Sequence, residues 1–531
     1  MSESVRDEYG VPRRGPVGPR PPMRPRRPSM SFGLALGLTV IGTLLPGTGL
    51  MAANRRRLGS LIFFVYLLLT AGAVYLATTQ LRELMHWAVR PEALNVISVV
   101  LPVLGLAWIS VIVGTYRSLR PDRASVAQRL AGSGMIVALA LVILLPLAVG
   151  GRYAGVQRGL VEHVFAGEDS RSATRPKNVT QKDPWGGQDR VNVLLLGGDG
   201  GKGRIGIRPD SLQVASINTE TGDTVLFSLP RNLEKVPFPP DSVLADAYPE
   251  GTYDGSGDRL EWMVNSIYEN VPQQHPGLLD SDNPGADATK LAVGAALGIQ
   301  LDYFVLINLE GFKELINALG GITVNINERV AIGGSSDEGV EPSDWLEPGP
   351  NQHLNGYNAL WFARGRYGSD DYHRMERQRC TMKAIIDQAE PGKVLTRYES
   401  IAQSSKDIVF TDIPGSLLPA FVDLSMKVQR GAQVKSIAFT NTIIRPWDPD
   451  YDLIRSMVAK AIRSSGTEQV SDPGQDPKPA PDETGSPDAT PSPTPTDDSD
   501  DSASPSPSTS RTPAPGGDSL DDACAYHPAV D

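Results

Sequence analysis

The stretch Trp361–Arg379, WFARGRYGSDDYHRMERQR, gathers Arg364, Arg366, Arg374, Arg377 and Arg379 around the aspartate pair Asp370–Asp371. Guanidinium groups stay charged and present a planar fork that matches phosphate oxygens. Alone, such a run reads either as a solvated helix face or as a phosphate site. More charged residues stand where short apolar runs end: Asp199 in GGDGGKG, Arg208 and Asp210 in IRPDS, and Arg231 in SLPRN. Ends of adjacent strands converge on one edge of an α/β sheet, the usual place for a ligand. Paired aspartates there, Asp199 and Asp210, suit a hard cation such as Mg²⁺, which takes few carboxylates and completes its shell with phosphate oxygens and water. The arginines suit the phosphates themselves.

Other chemistries are excluded by what is missing. A formal net charge of −11, from 50 Lys+Arg against 61 Asp+Glu, argues against a nucleic-acid binder. GGDGGKG carries the spacing G-x-G-x-x-G, but a further strand follows it rather than the helix a dinucleotide site needs. Gly203 stands where a P-loop requires Ser or Thr, so the segment reads as a flexible loop presenting Asp199. His275, His353 and His373 sit in no nucleophile motif, and the ligands of a zinc site are absent. The two cysteines, Cys380 and Cys524, exclude a disulfide-dense scaffold and leave one bridge or two free thiols equally open.

The elements that must position these residues follow from apolar patterning. VNVLLLGG from Val191, Ser211–Asn218, Asp223–Pro230 and Tyr303–Asn308 read as strands. Helices are expected over Asp258–Glu269, Ala286–Gly298, Asn355–Arg364 and Asp371–Gln388, with Gly320–Gly321 stopping another before the strand ITVNI. The fold class is α/β, a mixed central sheet flanked by helices over 190–463. Ahead of it lie a basic Pro/Arg arm (1–30), a membrane region (31–150) and a linker (151–189); a Pro/Ser/Thr/Asp-rich tail expected to be disordered (464–531) follows.

The membrane region holds apolar stretches at 31–53, 58–79, 93–115 and 130–150. Each of the last three, at roughly 20 residues, is long enough to cross a bilayer. Arg55–Arg57 and the arginines between 117 and 129 mark two cytoplasmic loops, which sends everything beyond 150 outside the cell. Pro46 with Gly42, Gly47 and Gly49 breaks the first stretch into a re-entrant or interfacial hairpin, giving three spans; four spans is the alternative.

With these pieces in order the chain resembles the LytR-CpsA-Psr family of bacterial envelope phosphotransferases, of the actinobacterial type. The resemblance rests on NVLLLGGD, RPDSLQVASINTETGDTVLFSLPRN, LDYFVLINLEGFKELINALGGITVNI, LNGYNALWFARGRY and DDYHRMERQR, in the family's order from about 191 to 390. It implies transfer of a polyprenyl-pyrophosphate-linked glycopolymer, such as teichoic acid, onto a peptidoglycan hydroxyl at the cytoplasmic membrane. It further implies Mg²⁺ on Asp199 and Asp210. Arg208, Arg231, Arg364, Arg366, Arg374 and Gln378 would hold the pyrophosphate, and Asp371 beside Arg374 would act as base. Two positions depart from the family's pattern: Asn232 follows Arg231 where Asp is usual, and Met263 stands two before Asn265 where a basic residue is usual, so one phosphate contact is either missing or supplied by Lys235. A pyrophosphatase releasing the glycan to water, or a non-enzymatic wall-polymer binder, would use the same residues.

Overall fold

Pro46 and Gly47 decide the start of the chain. Helix α1 (Phe32–Leu44), capped by the Ser31 side chain accepting from the Leu34 N–H, ends there because Gly47 adopts φ 99°. A Cβ at Gly47 would lie 2.2 Å from the Gly59 carbonyl oxygen, so the turn into α2 (Thr48–Ala52) admits only glycine. At 1.5 Å per residue α1 spans about 20 Å, short of the ~30 Å hydrocarbon core. Among the described residues three helices are long and apolar enough to cross a membrane: α3 (Arg56–Thr79), α5 (Pro91–Leu119) and α6 (Val126–Val164), with the short α4 (Leu81–Val89) between the first two. The three-span reading therefore fits, and the broken first stretch has the form of a hairpin.

The computed structural model describes residues 30–121, 124–198, 207–336, 338–388, 409–465 and 518–527. The chain divides into two units, Met1–Tyr75 with Val100–Gly150, and Leu76–Val99 with Gly151–Asp531. In the first, the Trp108 indole donates to the Thr43 carbonyl (3.1 Å) and packs edge-on against Tyr66.

The second unit is built on strands β1 (Arg190–Gly198), β2 (Pro209–Asn218) and β3 (Thr224–Leu229), an antiparallel meander. Its second turn closes on Asn218, whose side chain accepts from the Glu220 and Thr221 N–H groups, and on Gly222 at φ 86°. Next come β4 (Val236–Pro237), β5 (Thr252–Tyr253), β6 (Tyr303–Asn308), β7 (Ile322–Ile326), β8 (Val330–Ile332), β9 (Asp344–Leu346) and β10 (Gly349–Leu354). The last strands are β11 (Val409–Thr411), β12 (Val434–Ala438) and β13 (Asp518–Ser519). Among the described residues the main sheet runs β11-β6-β1-β2-β3-β12-β13, with β1/β6 and β3/β12 parallel and the other pairs antiparallel. That is the mixed sheet expected. Helices α7 (Val243–Ala247), α8 (Ile267–Gln274), α9 (Pro284–Leu297), α10 (Leu309–Leu319), α11 (Gly356–Arg364) and α12 (Asp371–Gln388) flank it. Buried Leu194, Leu196, Val214, Phe227, Ala292, Val293 and Phe439 belong to its largest apolar core.

Two expectations need correction. The helix expected over Asp258–Glu269 is instead two 3₁₀ turns, Arg259–Trp262 and Val264–Ser266, ahead of α8. Met263 between them is extended because it bridges to Glu234, and the Val264 N–H donates to the Leu233 carbonyl (2.8 Å). Backbone groups claimed by the loop after β3 cannot close a helix. The tail, expected to be disordered over 464–531 with a Cys380–Cys524 bridge left open, returns to the domain over residues 518–527: β13 pairs with β12, Leu520 is buried, and Cys524 is bonded to Cys380 of α12. The Asn325 and Asn327 side chains donate to the carbonyls of Cys524 and Ala525, which fixes this segment against β7.

Candidate functional site

The groups at the site arrive from four separate parts of the chain. The opening residues of β2 bring Asp210, the turn after β3 brings Arg231, the loop after α11 brings Arg366, and the first turn of α12 brings Asp371 and Arg374. Asp370 caps α12 by accepting from the Tyr372 and His373 N–H groups (3.0 and 2.9 Å) and meets the His373 ring at 2.7 Å. Burial alone would raise the Asp370 carboxyl; the bonds from His373 outweigh it and hold the carboxyl below its usual value. Asp370 is thus spent on the helix end, and Asp371 is left to face the arginines.

Arg374 lies at the centre. Its side chain is 2 % exposed, its Nη2 donates to both Asp371 oxygens (2.9 and 3.0 Å) and to the Asp210 carbonyl (3.1 Å), and its Nε has no partner. Burial pulls this guanidinium below the usual arginine value, an effect opposed chiefly by Asp371. The Arg231 Nη1 meets the Asp210 carboxylate at 2.5 Å, and its Nε lies 3.8 Å from Asp371; Arg366 lies 3.9 Å from the same carboxylate. Arg231, Asp210 and Asp371 each keep about 30 % side-chain exposure, so the cluster opens to solvent on one side. Three guanidiniums against two carboxylates leave an excess of positive charge, and the orphaned buried Nε is an unused donor. Such an arrangement can take up a doubly charged phosphate ester by exchanging carboxylate partners for phosphate oxygens.

The remaining candidates are placed differently. Arg208 turns away from this cluster to Glu261 (2.5 Å) and Glu269 (3.1 Å), and the bond from Glu261 raises its guanidinium. Arg364 lies over the Trp361 ring, 5.9 Å from its centroid. Gln378 follows Arg374 by one turn on the same face of α12. Lys235, considered as a substitute phosphate contact, pairs instead with Asp448 at the surface (3.0 Å). Arg377 donates to the carbonyls of Phe362 and Gly365, and burial lowers it to about 10; it closes the end of α11 and so sets the loop carrying Arg366. Arg379 is packed against the sheet with its Nη1 on Ser436 (3.2 Å), and its Nε is buried without a partner. Asp199 lies outside the described residues.

Sequence reasoning missed Glu261 and Glu269 as partners of Arg208. They were hidden in a segment whose periodicity imitates an unbroken helix. As for a metal, no group of three or more His, Cys, Asp or Glu ligands converges among the described residues. Of the two carboxylates expected to hold Mg²⁺, Asp210 is described and meets Arg231 at 2.5 Å; its hard oxygens suit an ion that draws most of its shell from phosphate and water.

The family model described as LytR_cpsA_psr family matches residues 161–453, more than half of the chain. The chain belongs to the LytR-CpsA-Psr family. Among relatives of this family, a protein of Oceanobacillus iheyensis named polyisoprenyl-teichoic acid–peptidoglycan teichoic acid transferase TagU is 27% identical over 278 residues, covering 51% of this chain and 75% of its own. The protein of that name from Enterococcus faecalis is 29% identical over 248 residues, covering 46% and 66%. Of solved structures, protein gbs0355 of Streptococcus agalactiae shares 25% identity over 47% of this chain and 77% of its own, with a TM-score of 0.36. The LytR-Csp2A-Psr enzyme of Actinomyces oris shares 18% over 56% and 96%, with a TM-score of 0.37.

Proposed function

We propose that this protein is a membrane-anchored transferase that moves a polyprenyl-pyrophosphate-linked glycopolymer onto a sugar hydroxyl of peptidoglycan. The observation that carries the reading is Arg374, buried between Asp210 and Asp371 with an unused Nε, at a cluster with more guanidiniums than carboxylates. Family membership and the transferase names of its relatives support the same reaction class. The arginine loops at 55–57 and 117–129 support a placement of the domain outside the cell.

In this reading Arg231, Arg366 and Arg374 grip the diphosphate, with Arg208, Arg364 and Gln378 at its margins. The acceptor hydroxyl attacks the phosphorus of the glycan-proximal phosphate, forming a new O–P bond. Its proton passes to the Asp371 carboxylate, which Arg231, Arg366 and Arg374 orient. The bond to the bridging oxygen breaks, and polyprenyl phosphate leaves with the electron pair. Catalysis is then positioning and charge neutralisation more than covalent chemistry. Asp210, with Asp199, would hold Mg²⁺, which when bound supplies further neutralisation of the phosphates.

The test follows labelled lipid-linked polymer with the full-length protein, peptidoglycan and Mg²⁺. Label is expected to become covalently attached to peptidoglycan with release of polyprenyl phosphate, and chelation with EDTA is expected to abolish this until Mg²⁺ is restored. Free polymer with no wall attachment would overturn the reading in favour of a pyrophosphatase; bound but unchanged substrate would favour a binding protein.

A further inference from the structure

The broken segment between β5 and α8 forms an open cleft of about 280 Å³ that the phosphate chemistry leaves unused. Trp262, Asp258, Glu261, Asn270, Gln273 and Gln274 line it. The indole is fixed on three sides: its N–H donates to the Ser256 carbonyl (3.1 Å), its ring packs on Tyr253 (5.3 Å between centroids), and it lies so close to Gly255 that a Cβ there would sit 2.2 Å from the ring. The polar walls are also held. The Asn270 amide donates to the Glu261 carbonyl and carboxylate (both 3.0 Å), the Tyr248 hydroxyl donates to Gln274, and the Gln273 amide donates to Glu269.

A rigid aromatic face ringed by amides and carboxylates recognises a ring that is apolar on its face and hydroxylated at its edge, which describes a pyranose. Two carboxylates, Asp258 and Glu261, make the cavity hostile to phosphate. Glu261 lines the cavity and pairs on its other side with Arg208, the arginine that turns away from the Arg374 cluster. Glu261 accepts from Asn270 on the cavity side and from Arg208 on the other, and this pairing holds its carboxyl below the usual value. Arg208 precedes Asp210 by two residues on the approach to β2. The same segment braces Arg231, whose carbonyl accepts from the Asn265 N–H (3.3 Å).

We infer that this cavity is the subsite for an acceptor sugar of the peptidoglycan strand, an uncharged N-acetylated pyranose held beside the diphosphate. This deepens the transferase reading and rests on it. The anionic polymer belongs to the arginine side, and the acidic, amide-rich side is left to the neutral partner.

The test uses the full-length protein in detergent with a soluble disaccharide-peptide fragment of peptidoglycan. Saturation-transfer NMR is expected to show the fragment's ring protons in contact with the wild type and not with Trp262→Ala. In transfer assays Trp262→Ala is expected to raise the acceptor KM about tenfold or more, with the donor KM unchanged. Gln273→Ala, at an exposed position, is expected to raise it severalfold; this variant and the melting curves of both guard against a folding artefact. Unchanged fragment binding and acceptor KM in both variants would sink the inference, as would a shift confined to the donor KM. Fragment binding lost on Trp262→Ala, in a protein that transfers nothing, would instead keep the sugar site and remove the reaction.

Discussion

The Arg374 cluster and the Lys290 cluster are made of the same kinds of residue and have opposite properties. Lys290 on α9 is 1 % exposed and meets Asp412, Asp287 (2.8 Å) and the Ser172 hydroxyl (2.9 Å). Asp287 also accepts from the Ser172 hydroxyl and the Ala173 N–H, and Asp412 from the Phe304 N–H. This network ties the linker into α9, β6 and the end of β11. The Arg374 cluster, at the ends of the interior strands β2 and β3, keeps partly exposed carboxylates and a buried donor without a partner. A satisfied buried network holds a fold together; a half-satisfied one at an opening is arranged for something else to complete it.

The sharpest way to break that contrast is Asp371→Asn, which should lower transfer about 10²- to 10⁴-fold while costing about 1–2 kcal/mol of stability. Initial rates alongside denaturant unfolding would check it, and an unchanged rate would remove Asp371 as the base. Lys290→Ala should do the reverse. Leaving Asp287 and Asp412 unpaired should cost about 3–5 kcal/mol, with the KM of the surviving folded protein unchanged. A variant as stable as wild type would show that the closed cluster is not structural.

Asp302, beside Lys290 and Asp412, sharpens the comparison through pH. Burial pushes its carboxyl up to about 6, against 3.8 ordinarily, although the Asn192 N–H and the Gln188 side chain oppose the shift. The folded state therefore binds this proton more tightly than the unfolded chain. Its stabilising contribution is complete below about pH 4 and is lost as pH rises through about 6, a change of roughly 3 kcal/mol. Asp302→Asn should flatten that part of the stability profile, as read by denaturant titrations across the range; a slope identical to wild type would refute the assignment. The smallest effect is expected at Arg208, partly exposed and paired with Glu261 and Glu269. Arg208→Gln should shift stability by less than about 1 kcal/mol and lower transfer about tenfold. Equal rates would place it outside the phosphate site.

Much of the site was legible because its residues follow strand ends and helix starts that local signals mark. Gly320 ends α10, and α12 begins at the Asp370–Asp371 pair. What stayed hidden were partners distant in sequence: Glu261 for Arg208, Ser436 for Arg379, and the pairing of residues 518–519 with β12, although the bridge from Cys524 to α12 was one of the open readings. No periodicity encodes a contact between segments 50 to 144 residues apart.

By itself the sequence determined the apolar helices, the α/β alternation and the wealth of arginine in Trp361–Arg379, since composition and short-range pattern suffice for these. Only the tertiary structure divided those arginines. Arg366 and Arg374 join Arg231 around two carboxylates, Arg377 closes α11, and Arg379 is half-buried against the sheet. The division follows from the helix: residues at 374, 377 and 379 leave α12 in different directions, and what each meets is set by the strands and loops packed there.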